Sequence, residues 1–330
     1  MGKPTMDDVA QRAGVSRALV SLVMRDSPRV SDKSRDKVLA AASELGYRPN
    51  ALARNLASGQ TNMIGVMLND LQNPYFTEVA EGAAFAAGEN GFQILINSGW
   101  ERESGEISAV EALLSMRTDG ILLGAPGLGV ELLEDFARQT ALVAVSMYSK
   151  PDAFDTVSNH EEHGANLIVD HLVDLGHERI AHIEAGEAAG GTERRTAFID
   201  AMVERGLAPI MVSGDFHEAS GYEGARQLMK LHDPPTAIFA PNDLAAVGVL
   251  TYLSEQGIAV PDEVSVVGYD DSLLASIGTI SLTTVHQPRQ RIGQMAMEIL
   301  LERIGGRTEA RHELIEPRLV ARASTGRAKK

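Results

Sequence analysis

From position 63 onward the chain alternates short apolar strands with amphipathic helices, and this alternation leaves few folds open. Strands read at 64–68, 93–97, 120–123, 142–146, 179–183, 237–240, 264–269 and 283–286. Helix-length stretches lie near 74–90, 104–117, 131–139, 163–175, 193–205, 219–230, 242–256 and 288–304. Strands separated by crossover helices pair in parallel, so the pattern predicts doubly wound parallel sheets. The number of units predicts two such sheets rather than one, in keeping with a chain too long for a single core. Ligands of open parallel sheets sit beyond the carboxyl ends of the strands. A cleft between two sheets therefore collects loops from both.

The first sixty residues do not share this pattern. Thr5-Met6-Asp7-Asp8-Val9-Ala10-Gln11-Arg12-Ala13-Gly14-Val15-Ser16 reads as a helix, a tight turn and the cap of a second helix over 17–24. Thr5 is placed to accept the orphan N–H groups of the first turn, and Asp8 three residues on suits a capping box. Gly14 supplies the turn and Ser16 caps the next helix. Two short helices joined in this way make a helix-turn-helix, whose second helix enters the major groove of DNA.

Charge divides the chain at the same place. Residues 1–60 hold ten Lys or Arg and six acids, a balance of +4; the whole chain is at −15, which leaves −19 for the remainder. An acidic body is repelled by a polyanion, so DNA contact has to come through the head. The competing reading of the head is a solvated helical mini-domain with ordinary surface charge, and the helix-turn-helix spacing argues against it.

A third helix reads at 31–45, capped by Ser31 and stopped by Gly46, with Val38, Leu39, Ala42 and Leu45 on its inner face. Pro49 then forces its predecessor out of the helical region, and Asn50 can cap a short helix through Ala57. A helix of that length is marginal alone in water. The segment is either a switch between head and body or a plain interdomain linker. The chain has no cysteine, which removes disulfides, thiolate catalysis and Cys-based zinc sites together. No apolar run reaches the roughly 18–20 residues needed to span a bilayer, and the polar N-terminus lacks a secretory h-region, so a cytoplasmic protein is expected.

The loops after the strands carry a polar and aromatic set: Asn69 through Phe76, Ser98-Gly99-Trp100-Glu101, Ser146, Arg194, Phe216, Asn242, Asp243, Asp270 and Asp271. Polyol recognition needs this mixture of amide and carboxylate acceptors, a forked donor and flat rings against C–H faces. Each residue also has a plainer role open to it: Tyr75 and Phe76 as core, Asn242 as a helix cap, Asp270 as a turn former.

Catalysis finds little support. The loop at 186–192 is Gly-rich but lacks the Gly-Lys-Ser/Thr ending of a phosphate loop, and reads as a loop before a helix. His160-Glu161-Glu162-His163 has metal-like residue types at a spacing that is not His-Glu-x-x-His, and reads as a polar helix start. Asp70, Asp270 and Asp271 are acids without a demonstrable separation. No cofactor motif stands out.

Several motifs together show that the chain resembles the lactose-repressor (LacI-type) family of bacterial transcription regulators. They are Asp8-Val9-Ala10 with Ala13-Gly14-Val15-Ser16, Leu45 through Arg54, Asn73-Pro74-Tyr75-Phe76, and His171-Leu172 with Leu175-Gly176-His177. Ala240 through Ala245, Val266 through Asp271 and Leu282 through Pro288 continue them in the family's order. The resemblance runs from Thr5 to about Thr325. It implies a non-enzymatic regulator, most simply a repressor, binding a palindromic operator as a homodimer under control of a small molecule, a sugar or polyol. The implied parts are a DNA-binding head (1–49), a hinge helix and linker (50–60) and a core resembling periplasmic sugar-binding proteins. That core divides into one subdomain of 61–158 plus 289–317 and a second of 159–288 plus 318–330.

Carried over residue by residue, base reading falls on Arg17, Ala18 and Leu22. Thr5, Ser16, Ser21, Arg25, Asn50 and Ala53 lie near DNA, and Leu56 matches a leucine wedged into the minor groove. Effector positions fall on Asn73, Tyr75, Phe76, Trp100, Ser146, Arg194, Phe216, Asn242, Asp270 and Gln287, with Arg194 preferred over Arg195. The chain departs from the family in three places. Leu19, Leu22 and Arg25 replace Thr, Arg and Asn of the recognition helix, and Leu22 cannot form a bidentate contact to guanine. His160-Glu161 stands where Asp-Asn is usual, and Ala197 where a Gly precedes the aromatic.

Overall fold

The structure, a computed structural model, describes residues 4–24, 27–47, 61–99, 102–186 and 190–329. It forms two compact units, Met1–Thr61 and Asn62–Lys330. Arg25, the hinge segment with Asn50, Ala53 and Leu56, and Trp100 lie outside the described residues.

In the first unit, α1 (Met6–Ala13), α2 (Arg17–Met24) and α3 (Asp32–Leu45) enclose a small core around Val9, Val20 and Val38. The capping box forms as read: Thr5 Oγ1 accepts from Asp8 N, and the Asp8 carboxylate accepts from Thr5 N at 2.8 Å. Gly14 takes φ +67°, a left-handed turn that costs a glycine nothing. Ser16 Oγ accepts from Leu19 N at 3.2 Å, capping α2. Two details of α3 differ from expectation. Ser31 occupies the cap position, but its hydroxyl donates to Ser34 Oγ rather than accepting from the backbone. Leu39 is 48% exposed, because the helix phase set by Val38, Ala41 and Ala42 turns it to solvent.

The second unit holds two parallel sheets. The first takes β1 (Met63–Leu68), β2 (Gln93–Ser98), β3 (Gly120–Gly124), β4 (Ala141–Val145), β5 (Asp155–Asn159) and the late β11 (His312–Ile315), in the order β2-β1-β3-β4-β5-β11. Helices α4 (Pro74–Glu89) and α12 (Arg289–Ile304) bury one face, and α5 (Glu103–Ser115) and α6 (Val130–Ala137) the other. The second sheet has the order β7-β6-β8-β9, from β6 (Ile180–Glu184), β7 (Ile210–Ser213), β8 (Ala237–Phe239) and β9 (Ser265–Val267). It lies between α7 (Glu161–Asp174) with α8 (Gly191–Glu204) and α9 (Glu218–Leu228) with α10 (Asp243–Glu255). A short α11 (Leu273–Ser276) precedes β10 (Thr284–His286), which pairs antiparallel with β12 (Arg318–Val320). The fold is therefore α/β, with a helical head and two doubly wound parallel sheets.

Each layer contains one helix pair in backbone contact. A Cβ at Gly82 of α4 would overlap the backbone of Gln290, and one at Gly293 of α12 the backbone of Val79. Gly221 and Gly248 do the same for α9 and α10.

Four strands escaped the sequence reading. β5 reads Asp-Thr-Val-Ser-Asn, too polar for a buried strand by pattern. Its Asp155 is fully buried yet paired with Arg303 Nε (2.7 Å), Arg307 Nη2 (2.9 Å) and the Arg311 N–H (2.7 Å). Burial pushes the carboxyl up, but these donors outweigh it and hold it below its ordinary range. The strand is thus buried with the help of an arginine 148 residues later, which no local pattern reveals. β7 and β11 are half-buried strands at the edges of their sheets. β12 is three residues long, too short for its alternation to stand out. Among the described residues no helix is long and apolar enough to cross a membrane.

Candidate functional site

The carboxyl ends of strands from both sheets open on one cleft of about 570 Å3, its open mouth included. Nine of the ten effector candidates line it: Asn73, Tyr75, Phe76, Ser146, Arg194, Phe216, Asn242, Asp270 and Gln287. The plainer roles hold as well. Tyr75 and Phe76 belong to the core of the first layer while facing the cleft. Asn73 caps α4, its Oδ1 accepting from Tyr75 N at 3.0 Å. Asn242 caps α10 through Oδ1, which accepts from Ala245 N at 2.8 Å. That bond fixes the amide, and leaves the buried Nδ2 with no partner among the described residues.

Backbone geometry aims the remaining groups. Ser146 directly follows β4 at φ +57° and Asp270 follows β9 at φ +108°, both in territory that non-glycine residues rarely adopt. Tyr75 Oη and Ser146 Oγ are 2.8 Å apart, and Gln287 Nε2 donates to Asp270 Oδ1 at 2.6 Å. Burial, then the neighbouring Asp243 carboxylate, pushes the Asp270 carboxyl up. Asp243 itself is occupied structurally, accepting from Thr284 Oγ1 and Ser272 N at 2.6 Å each. Asp271 is likewise occupied, by His286 Nδ1 (2.9 Å) and Arg322 Nη2 (2.6 Å).

Six further residues line the cleft: Asn69 and Asp70 belong to the polar loop set read after the first strand, whereas the sequence reading missed Ala125, Tyr148, Glu161 and Gly190. Asn69 and Asp70 fall in the loop directly after β1, where the strand-end rule places them. Glu161 is the consequential omission. Its position at a polar helix start concealed a side chain 3% exposed that accepts from Arg194 Nε at 2.9 Å and Nη2 at 3.1 Å. Tyr148 donates to the same carboxylate at 2.9 Å. Arg194 also donates through Nη1 to Pro241 O, and its guanidinium stacks 3.6 Å above the centroid of the Tyr269 ring. Burial works against this charge, but Glu161 more than restores it and the guanidinium stays protonated. Arg195, the neighbouring register, points elsewhere and pairs with Glu184. Among the described residues no cluster could hold a metal ion.

In the head, α2 presents Arg17 and Ala18 to solvent, with Ser21 half-buried on the same helix. Leu22, placed at a base-reading position, packs partly against the head core beside Leu19 and Met24. Arg17 lies 3.7 Å from Asp7, a loose surface pair that a phosphate can displace. Thr5 is exposed, its hydroxyl committed to the capping box.

Residues 5–50 match the family described as bacterial regulatory proteins, lacI family, and residues 169–325 match the periplasmic binding protein-like domain. A curated relative, the HTH-type transcriptional repressor PurR of Photobacterium profundum, is 34% identical over 97% of this chain and 98% of its own. The Lac repressor dimer bound to operator and the anti-inducer ONPF superposes with a TM-score of 0.88 at 28% identity, covering 98% of this chain and all of that one. The transcriptional regulator CelR in complex with cellobiose gives 0.73 at 28%, covering 97% and 99%. A helix-turn-helix head, a periplasmic-binding-protein-like core and full-length similarity to repressors rather than enzymes lead to one conclusion: the chain belongs to the lacI family of bacterial regulatory proteins and is a DNA-binding transcriptional regulator.

Proposed function

We propose that the chain is a cytoplasmic repressor that binds a near-palindromic operator as a homodimer and is switched by a sugar or polyol held in the cleft. The observation that carries this reading is the convergence of nine candidate side chains, from loops of both sheets, on one cavity in a chain with a DNA-reading head. Repression is supported by the PurR relatives, and dimeric operator binding by the Lac repressor complex. A carbohydrate effector is supported by the CelR complex and by the donor, acceptor and ring mixture of the lining. The head comprises 1–49, the hinge 50–60, and the two subdomains 61–158 plus 289–317 and 159–288 plus 318–330. Arg17, Ala18 and Leu22 face bases, and Thr5, Ser16, Ser21, Arg25, Asn50, Ala53 and Leu56 lie against the DNA backbone or minor groove.

The mechanism follows from where the ligand sits. A molecule touching both subdomains binds one relative orientation better than the other and shifts the population toward it. In one orientation paired hinge helices fold on DNA; in the other they do not. Coupling of this kind is reciprocal. Operator affinity measured by fluorescence anisotropy against a panel of sugars and polyols should change at least about fivefold with one member. Calorimetry should then show the same factor for that compound with and without operator. Equal affinity in both states would remove the mechanism.

A further inference from the structure

The charge of the cleft determines which ligands it admits. Among the described residues that line it, Arg194 is the sole cation. Its fork is closed on Glu161 by two hydrogen bonds, and its third nitrogen donates to Pro241 O. A guanidinium paired in this way offers a ligand no net positive charge. Asp70 and Asp270 face the same space, and Asp270 receives its bond there from the neutral amide of Gln287. Residues 100–101 and 187–189 read Trp-Glu and Glu-Ala-Ala and add no basic side chain. Among the described residues, the buried wall atoms without a partner are uncharged: Asn242 Nδ2, a donor, and Asn69 Oδ1, an acceptor.

We propose that Glu161 sets the charge class of the effector. By cancelling Arg194 it makes the cleft accept uncharged polyhydroxyl ligands and reject those carrying a phosphate or carboxylate. This rests on the effector reading of the cleft. The physical reason is that an anion entering this site gives up its hydration and meets a lining that is neutral to acidic. A hydroxyl ligand meets acceptors at Asp70, Asp270 and Asn69 and a donor at Asn242. Without Glu161, the buried Arg194 would be a ready-made fork for a phosphate.

The test uses the full-length chain. Heat unfolding is followed in sodium phosphate and in sodium chloride at matched ionic strength, for wild type, Glu161→Gln, Arg194→Met and the double variant, with folding checked by circular dichroism. Wild type should show no saturable rise in Tm with phosphate. Glu161→Gln should acquire one, and the double variant should lack it. In parallel, glucose and galactose are titrated calorimetrically into wild type beside their 6-phosphates; in any pair that binds, the neutral member should bind at least roughly tenfold more tightly. A phosphate-dependent rise in wild type that Arg194→Met abolishes overturns the proposal. So does tighter binding of a phosphorylated member, or a folded Glu161→Gln that gains no phosphate response. Should Glu161→Gln not fold, the wild-type phosphate arm decides alone. If no sugar binds while Glu161→Gln gains the phosphate site, the charge assignment stands and the carbohydrate reading of the effector falls.

Discussion

The Tyr269 hydroxyl fills the space that Gly164 leaves by having no side chain, and the same tyrosine ring carries the Arg194 guanidinium on its face. A glycine on α7 is thereby coupled to the floor of the cleft through one aromatic ring. Asn159 Nδ2 donates to that hydroxyl at 2.8 Å, so the ring is held at its tip as well. Gly164→Ala forces Tyr269 to move within a close-packed layer. It should destabilise the chain by about 1–3 kcal/mol, read from the urea midpoint. An unchanged midpoint would mean that the helix can shift away from the ring.

Glu161 and Arg194 are both almost wholly buried, so removing either partner leaves an uncompensated charge. Arg194→Met and Glu161→Gln should each cost about 3–5 kcal/mol. The double variant should cost clearly less than their sum, because no lone charge remains. Additive costs in denaturant unfolding would show that the pair is not a unit.

Asn242 has two duties that substitution can separate. Serine keeps a cap acceptor for Ala245 N but loses the amide donor, while alanine loses both. Asn242→Ser should stay near wild-type stability and Asn242→Ala should lose about 1 kcal/mol. Both should weaken the effector response of operator binding. A normal response in Asn242→Ser would take the Nδ2 group out of ligand recognition.

Glu106 supplies a pH dependence. Burial raises its carboxyl from 4.5 to about 7, against the opposing hydrogen bonds from the Gly127 N–H. A carboxyl raised in the folded state binds its proton more tightly there than in the unfolded chain. Its contribution is therefore fully present below pH 4.5 and is lost as pH rises through about 7. Wild type should lose stability relative to Glu106→Gln across that window in thermal scans, and parallel profiles would contradict the assignment.

Much of this molecule was legible in its sequence, and most of what was not depends on partners far along the chain. The capping box at Thr5 and Asp8, the turn at Gly14 and the cleft residues following strands all follow from local rules, which sequence carries in order. The strand at Asp155–Asn159 does not, because Arg303 and Arg307 make its burial possible from far along the chain. Glu161 was obscured in the same way. As a residue type at a helix start it is ordinary, and only the folded placement of Arg194 gives it a role. Leu39 marks a third case, where the helix phase that buries Val38 and Ala42 turns a leucine outward.

In the head, Arg17 contributes one positive charge on the exposed face of α2. If it meets a phosphate, Arg17→Ala should weaken binding across sequences and reduce the salt slope by about one. If it reads a guanine, the variant should instead lose about 1–3 kcal/mol at one operator position and relax specificity there. Binding and specificity both unchanged would remove Arg17 from the interface.

The account stands most directly on DNA selection: enrichment of duplexes from a random pool by the purified full-length chain at fixed, near-physiological salt. It predicts a palindrome of roughly 14–20 base pairs with a kinkable central step, and a half-site shaped by Leu22 and Arg25. Absence of any enriched sequence, with and without candidate sugars and polyols in the selection, would contradict it.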